Sequence, residues 1–135
     1  MKSIFIVLLA LVCGNTAIAQ KAPKAVTDAF SKAYAGATKV KWDKEDAQYE
    51  ASFHYKGQEM SVLYNANGSV AETETEIAVS ELPAAAQKYA TAKGKIKEAS
   101  KIVTASGTQY EAMVGKTDYI FDDKGNFVKE NTEKD

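Results

Sequence analysis

Between Val26 and Tyr34 the apolar residues recur at helical spacing. Val26, Ala29, Phe30, Ala33 and Tyr34 fall at i, i+3, i+4, i+7 and i+8, which predicts a helix with one apolar stripe. Pro23 stands near its start, where a missing N–H does no harm, and Gly36 follows its end. The period then changes to two. Val40 and Trp42 alternate with Lys39, Lys41 and Asp43, and Tyr49, Ala51, Phe53 and Tyr55 alternate with Glu50, Ser52 and His54. After a turn at Lys56-Gly57, Met60, Val62 and Tyr64 alternate with Glu59, Ser61 and Leu63. Asn67-Gly68 is a hairpin-turn signal, and Val70 to Ile77 predicts a fourth strand.

The same plan then recurs. Ser80 and Pro83 mark the start of a second helix, Ala85, Ala86, Tyr89, Ala90 and Ala92 give it a thinner apolar face, and Gly94 ends it. Strands follow at Ile96 to Thr104, Tyr110 to Val114, Thr117 to Phe121 and Phe127 to Glu130, with turns at Ser106-Gly107, Gly115-Lys116 and Lys124-Gly125. Three landmarks keep their order. Ala22-Pro23-Lys24-Ala25 is echoed by Leu82-Pro83-Ala84-Ala85, Tyr49-Glu50-Ala51 by Tyr110-Glu111-Ala112, and Tyr64 to Gly68 by Phe121 to Gly125. Such self-similarity predicts a duplicated unit. The fold class expected is α+β, with two tandem units, each a helix followed by a four-stranded antiparallel sheet.

Alternation also assigns faces. Trp42, Tyr49, Phe53, Tyr55 and Tyr64, with Tyr110, Val114, Tyr119 and Phe121, belong to one side, which the helices must cover. The opposite side carries Glu50, Ser52, His54, Glu59, Ser61 and Leu63, then Glu111, Met113, Asp118 and Ile120. If the two sheets join edge to edge, these residues form one broad open face. Leu63, Met113 and Ile120 would be its apolar spots. This face is the expected binding site.

The N-terminus changes the compartment. Lys2, the apolar run Ile4 to Val12 and Ala17-Ile18-Ala19 make the charged start, apolar core and small-residue cleavage site of a secretory signal. The run is too short to span a bilayer. Residues 1–19 are therefore expected to be removed, leaving units at 20–78 and 79–135. A retained anchor and lipidation at Cys13 are weaker readings, since Val12 is a poor residue before a lipidated cysteine. With Cys13 gone, the mature chain has no thiol for a disulfide, a thiolate metal site or a nucleophile.

Composition narrows the function. A chain of 135 residues leaves no room for a large barrel enzyme. It has 17 Lys+Arg, all of them lysine, against 18 Asp+Glu, for a net charge of −1. That balance, together with export and core-facing aromatics, argues against nucleic acid. His54 is the sole histidine and cannot by itself build a histidine zinc site. The acidic groups at Asp43, Glu45 and Asp46 and at Asp122 and Asp123 do not fit a calcium loop and read as turn chemistry. Glu72, Glu74 and Glu76 recur at period two, so they share one face. They need solvent, lysines on an adjacent strand or a basic partner.

Several segments resemble the PepSY-like proteins of the β-lactamase-inhibitor-like group. They are Pro23 to Ala37, Thr38-Lys39-Val40-Lys41-Trp42, Tyr49-Glu50-Ala51, Asn67-Gly68, Glu72 to Ile77 and Ser80-Glu81-Leu82-Pro83. The second half matches more loosely, with no tryptophan corresponding to Trp42. The resemblance implies a small exported protein with a β-lactamase-inhibitor-protein-like fold, and offers no catalytic residues to transfer. The expectation is a periplasmic or secreted, non-enzymatic binding protein with no cofactor or metal and no membrane span after signal cleavage. It would present the open sheet face to an exported protein or peptide and act in the manner of an inhibitor. The alternative is a periplasmic carrier of a small ligand in a crevice between the two units.

Overall fold

The computed structural model describes residues 21–133. The signal-like segment and Cys13 lie outside the described residues. Helix α1 (Lys24–Ala33) precedes strands β1 (Thr38–Glu45), β2 (Gln48–Tyr55), β3 (Gln58–Asn65) and β4 (Val70–Ile77). A short 3₁₀ turn, Val79–Glu81, leads into helix α2 (Ala84–Lys93). Strands β5 (Ile96–Thr104), β6 (Gly107–Val114), β7 (Thr117–Phe121) and β8 (Phe127–Thr132) complete the chain. The strands form one antiparallel sheet in sequence order, β1 to β8. Pairing of β4 with β5, from Glu72↔Thr104 to Ile77↔Ala99, carries the sheet across its middle.

Both helices begin immediately after a proline. The Pro23 carbonyl accepts from the Val26 and Thr27 amides, and the Pro83 carbonyl accepts from Gln87. Two hairpins are built alike. The Gly68 amide donates to the Asn65 carbonyl at 2.9 Å, and the Gly125 amide to the Asp122 carbonyl at 3.0 Å. In each, a glycine lies at φ of +88°, Gly68 and Gly125, a conformation that carries little cost only for glycine.

Register places both helices on one side of the sheet. Ala51 opposes Val62, Val62 opposes Thr73, Thr73 opposes Val103, and Ala99 opposes Ala112. Under α1 this side is aromatic: Phe30 packs edge-on against Phe53 at 4.9 Å and against Trp42 at 5.3 Å. Under α2 it is small. Ala86 and Ala90 meet Ala99 and Ala112 in the core, and Leu82, Tyr119 and Phe121 fill the rest. Tyr89 stacks on Phe127 at 4.9 Å, closing the β8 end. The thin apolar face of α2 thus reflects close approach of helix and sheet.

Val40 departs from the alternation. It is exposed, whereas Trp42 packs in the core. Lys39 adopts φ of +53° at a bulge between Thr38 and Lys41, which resets the strand's facing before Trp42.

Candidate binding face

The side opposite the helices carries every residue expected there. Glu50 pairs with Leu63, Ser52 with Ser61, and His54 with Glu59. Glu111 pairs with Ile120, and Met113 with Asp118. The face continues through β4 and β5, because Ser61 opposes Glu74, Glu74 opposes Ile102, Glu76 opposes Ser100, and Ser100 opposes Glu111. Glu72, Glu74 and Glu76 therefore join Glu50, Glu59, Glu98, Glu111 and Asp118 on one surface. The bases on it by register are Lys41 at one edge and Lys129 at the other.

The expectation of lysines beside the Glu72-Glu74-Glu76 stripe is overturned. Across β5 the stripe faces Thr104, Ile102 and Ser100, and across β3 it faces Leu63 and Ser61. Lys101 pairs with Thr75 and so belongs to the helix side.

The face is concave: Ile102, Ile120, Glu111 and Asp118 at its centre are buried although both helices pack on the other side. Burial raises the carboxyl of Glu72 on β4 above its ordinary range, and Lys129 on β8 draws it part of the way back. Asp118 on β7 likewise acts on Glu74. Curling brings these charges together and crowds the central strands.

That crowding corrects a second expectation, an exposed polar surface with apolar spots. Ile120 is fully buried, and so is Ile102, while Leu63 and Met113 are only half-buried. Glu111 is 3% exposed, Asp118 5% and Glu74 9%. Glu111 Oε2 and Asp118 Oδ1 find no hydrogen-bond partner among the described residues.

Burial shapes the electrostatics. It pushes Glu111 to about 9, with Glu74 and Asp118 adding repulsion. It pushes Glu74 to about 7 against a hydrogen bond from Ser100, and Asp118 to about 6 with repulsion from Glu133. Glu50 is also raised to about 7 by burial and by Glu45 and Asp43. Glu76 reaches about 7 chiefly through a side-chain hydrogen bond with Glu59, with burial adding to the rise. The same Glu59 meets His54, with Nε2 3.1 Å from Oε1. These three line a depression of about 450 Å³ at the end of β3 and β4, together with Gln58, Ile77 and Glu81.

Among the described residues no three metal-ligating side chains converge closely enough to hold a cation. Asp122, by contrast, is turn chemistry. It accepts from Lys124, from the Asn126 amide at 2.8 Å and from the Asn126 side chain, and these bonds lower its pKa. Among the described residues no helix is long and apolar enough to cross a membrane.

Neither a family model nor a curated protein matches the sequence. Solved structures do. A candidate periplasmic protein from Bacteroides eggerthii is 22% identical, with a TM-score of 0.73 over 84% of this chain and 90% of its own. A BLIP-like protein from Bacteroides fragilis is 26% identical, with a TM-score of 0.65 over 86% of this chain and 91% of its own. A DUF2874 family protein from Bacteroides uniformis is 20% identical, with a TM-score of 0.72 over 83% and 90%. The chain therefore has a β-lactamase-inhibitor-like α+β fold.

Proposed function

We propose that the protein is an exported, non-enzymatic binding module that uses the concave sheet face to hold a protein or peptide partner. The single observation that carries this reading is the face itself: an eight-stranded surface whose other side alone is packed by α1 and α2. Its acidic groups lie spread along strands rather than gathered around a nucleophile, which favours contact over chemistry. Periplasmic or secreted localisation is supported by the signal-like segment and by the likeness to a Bacteroides protein described as periplasmic. We read the two helix-plus-four-strand halves as tandem PepSY-like units on the resemblance of their residues, and the inhibitor-like mode as an analogy with the BLIP-like neighbour.

The small-ligand reading has less support. Such sites are usually enclosed and largely apolar. The depression beside His54 is open, and polar groups make up about half of its lining.

Capture from envelope and secreted extract tests the proposal. The bait is the chain from Gln20, and the control carries Leu63→Asp and Met113→Asp, checked for fold by circular dichroism. A partner held by the native face and lost by the control is the expected result. Equal capture by both, or none by either, overturns it.

A further inference from the structure

The centre of the face is unusual for a protein surface. Glu74, Glu111 and Asp118 come from three strands, and the curl of the sheet sets them where water has little access. Buried carboxylates are normally paired, because an unpaired one forfeits its hydration. Here Glu111 Oε2 and Asp118 Oδ1 have no hydrogen-bond partner among the described residues. Their flanking positions offer little compensation. Glu111 is opposed by Ser100 and Ile120, and Asp118 by Met113 and Asn131. The free lone pairs ask for a donor, and the surrounding charge asks for a positive one.

We propose that this trough is a recognition site for a cationic side chain, and that the partner presents a lysine- or arginine-bearing segment there. The inference rests on the binding-face reading above and narrows its partner class. Charge complementarity selects the occupant. The face is rimmed by Glu50, Glu72 and Glu98, with Lys129 as the counter-charge at the β8 edge. A metal ion fits less well, since no metal-holding cluster forms among the described residues. An ammonium or guanidinium group accepts several carboxylates at hydrogen-bond distance without a fixed coordination cage. Ile102, Ile120 and Met113 lie beside these carboxylates on the same face, apolar surface that suits the methylene stem of such a side chain.

The site must release protons when it binds. Glu111 faces Glu72, Glu74 and Glu76 from β4, Glu98 from β5, Asp118 from β7 and Lys129 from β8, and burial holds it protonated near neutrality. A bound cation stabilises the carboxylate, so binding tightens as pH rises.

The test uses the chain from Gln20 with two probes, a lysine–glycine repeat peptide and the same peptide acetylated on every lysine. Binding is followed by NMR at low salt. The expected result is that the lysine peptide shifts amides of β4 to β7 around Glu74, Glu111 and Asp118. It should bind at least about tenfold more tightly than the acetylated peptide, a difference of ~1.4 kcal/mol. Affinity should rise from pH 6 to pH 8 and fall about tenfold in Glu111→Gln with Asp118→Asn. A control that removes two carboxyls outside the face, Asp28→Asn with Asp123→Asn, should leave it unchanged. Equal binding of both peptides, shifts elsewhere, or no binding overturns the cationic-partner inference. If extract capture still finds a partner sensitive to Leu63→Asp, only the partner class has failed. If capture also fails, the face reading itself falls.

Discussion

Gly68 and Ala25 meet across the first hairpin and the start of α1. A Cβ on Gly68 would stand 2.6 Å from the Ala25 carbonyl oxygen. The second half repeats the contact, since a Cβ on Gly125 would stand 2.8 Å from Pro83 and 3.0 Å from the Ala86 amide nitrogen. Each turn thus presses its glycine against the beginning of the helix of its own half, fixing where that helix sits on the sheet.

Gly68→Ala should therefore cost more than backbone conformation alone. Gly57 supplies the comparison, with φ of +80° and nothing within 4 Å of the place a Cβ would occupy. Gly57→Ala should cost ~1 kcal/mol, the usual penalty for a left-handed residue. Gly68→Ala should cost at least ~2 kcal/mol, because backbone must also shift. Chemical denaturation of both variants checks this, and equal losses would show that the turn does not bear on α1.

Tyr64 makes the opposite case. It is 1% exposed in the aromatic core, its hydroxyl finds no partner among the described residues, and burial pushes its pKa to about 12. Removing an unsatisfied buried polar group relieves its desolvation penalty. Tyr64→Phe should be neutral or stabilising by up to ~1–2 kcal/mol, read as a raised denaturation midpoint at unchanged slope. A clear loss of stability would mean that the hydroxyl has a donor or acceptor after all.

Much of this arrangement was legible in the chain. Tyr49, Phe53 and Tyr64 keep strict period two, and each packs on the helix side as read. Val40 misled because a bulge at Lys39 resets its strand, and nothing in Lys-Val-Lys marks a bulge. The fate of Glu72, Glu74 and Glu76 needed the β4–β5 register, which pairs residues far apart in sequence. Concavity was out of reach altogether. Ile120 and Glu111 look like neighbours on an exposed strand face until the curl of eight strands buries both. Curvature accumulates over the whole sheet, so no single segment encodes it.

The carboxylates reverse the usual pH dependence of stability. Glu111, Glu74 and Asp118 start from ordinary values of 4.5, 4.5 and 3.8 and are raised in the native state to about 9, 7 and 6. The native state then binds more protons than the unfolded one between roughly pH 4 and pH 9. Stability must fall as pH rises through that window. The melting temperature at pH 5 should exceed that at pH 8 by at least about 5 °C, equivalent to ~1 kcal/mol for a domain of this size. Below pH 4 the lowered Asp122 works the other way, and its contribution is lost on further acidification. A melting temperature that stays constant from pH 5 to pH 8 would contradict the burial of these groups.

Glu111→Gln separates stability from function. Glutamine keeps the shape of the side chain and is neutral without a proton, so it removes the cost of holding one on a residue that is 3% exposed beside Glu74 and Asp118. At pH 8 it should stabilise the fold by roughly 1–3 kcal/mol, a figure that allows for the new amide's own unmet hydrogen bonds. Most of that gain should vanish at pH 5, close to the ordinary value of 4.5, where the unfolded carboxyl also begins to hold its proton. Thermal melts of parent and variant at both pH values read the effect directly. A glutamate retained at a position where glutamine folds better is the signature of a site that gives up stability for recognition. The same variant should bind the lysine peptide more weakly, so a gain in melting temperature and a loss in affinity should arrive together. A variant less stable at pH 8 would instead make Glu111 a structural residue whose oxygen is satisfied within the fold.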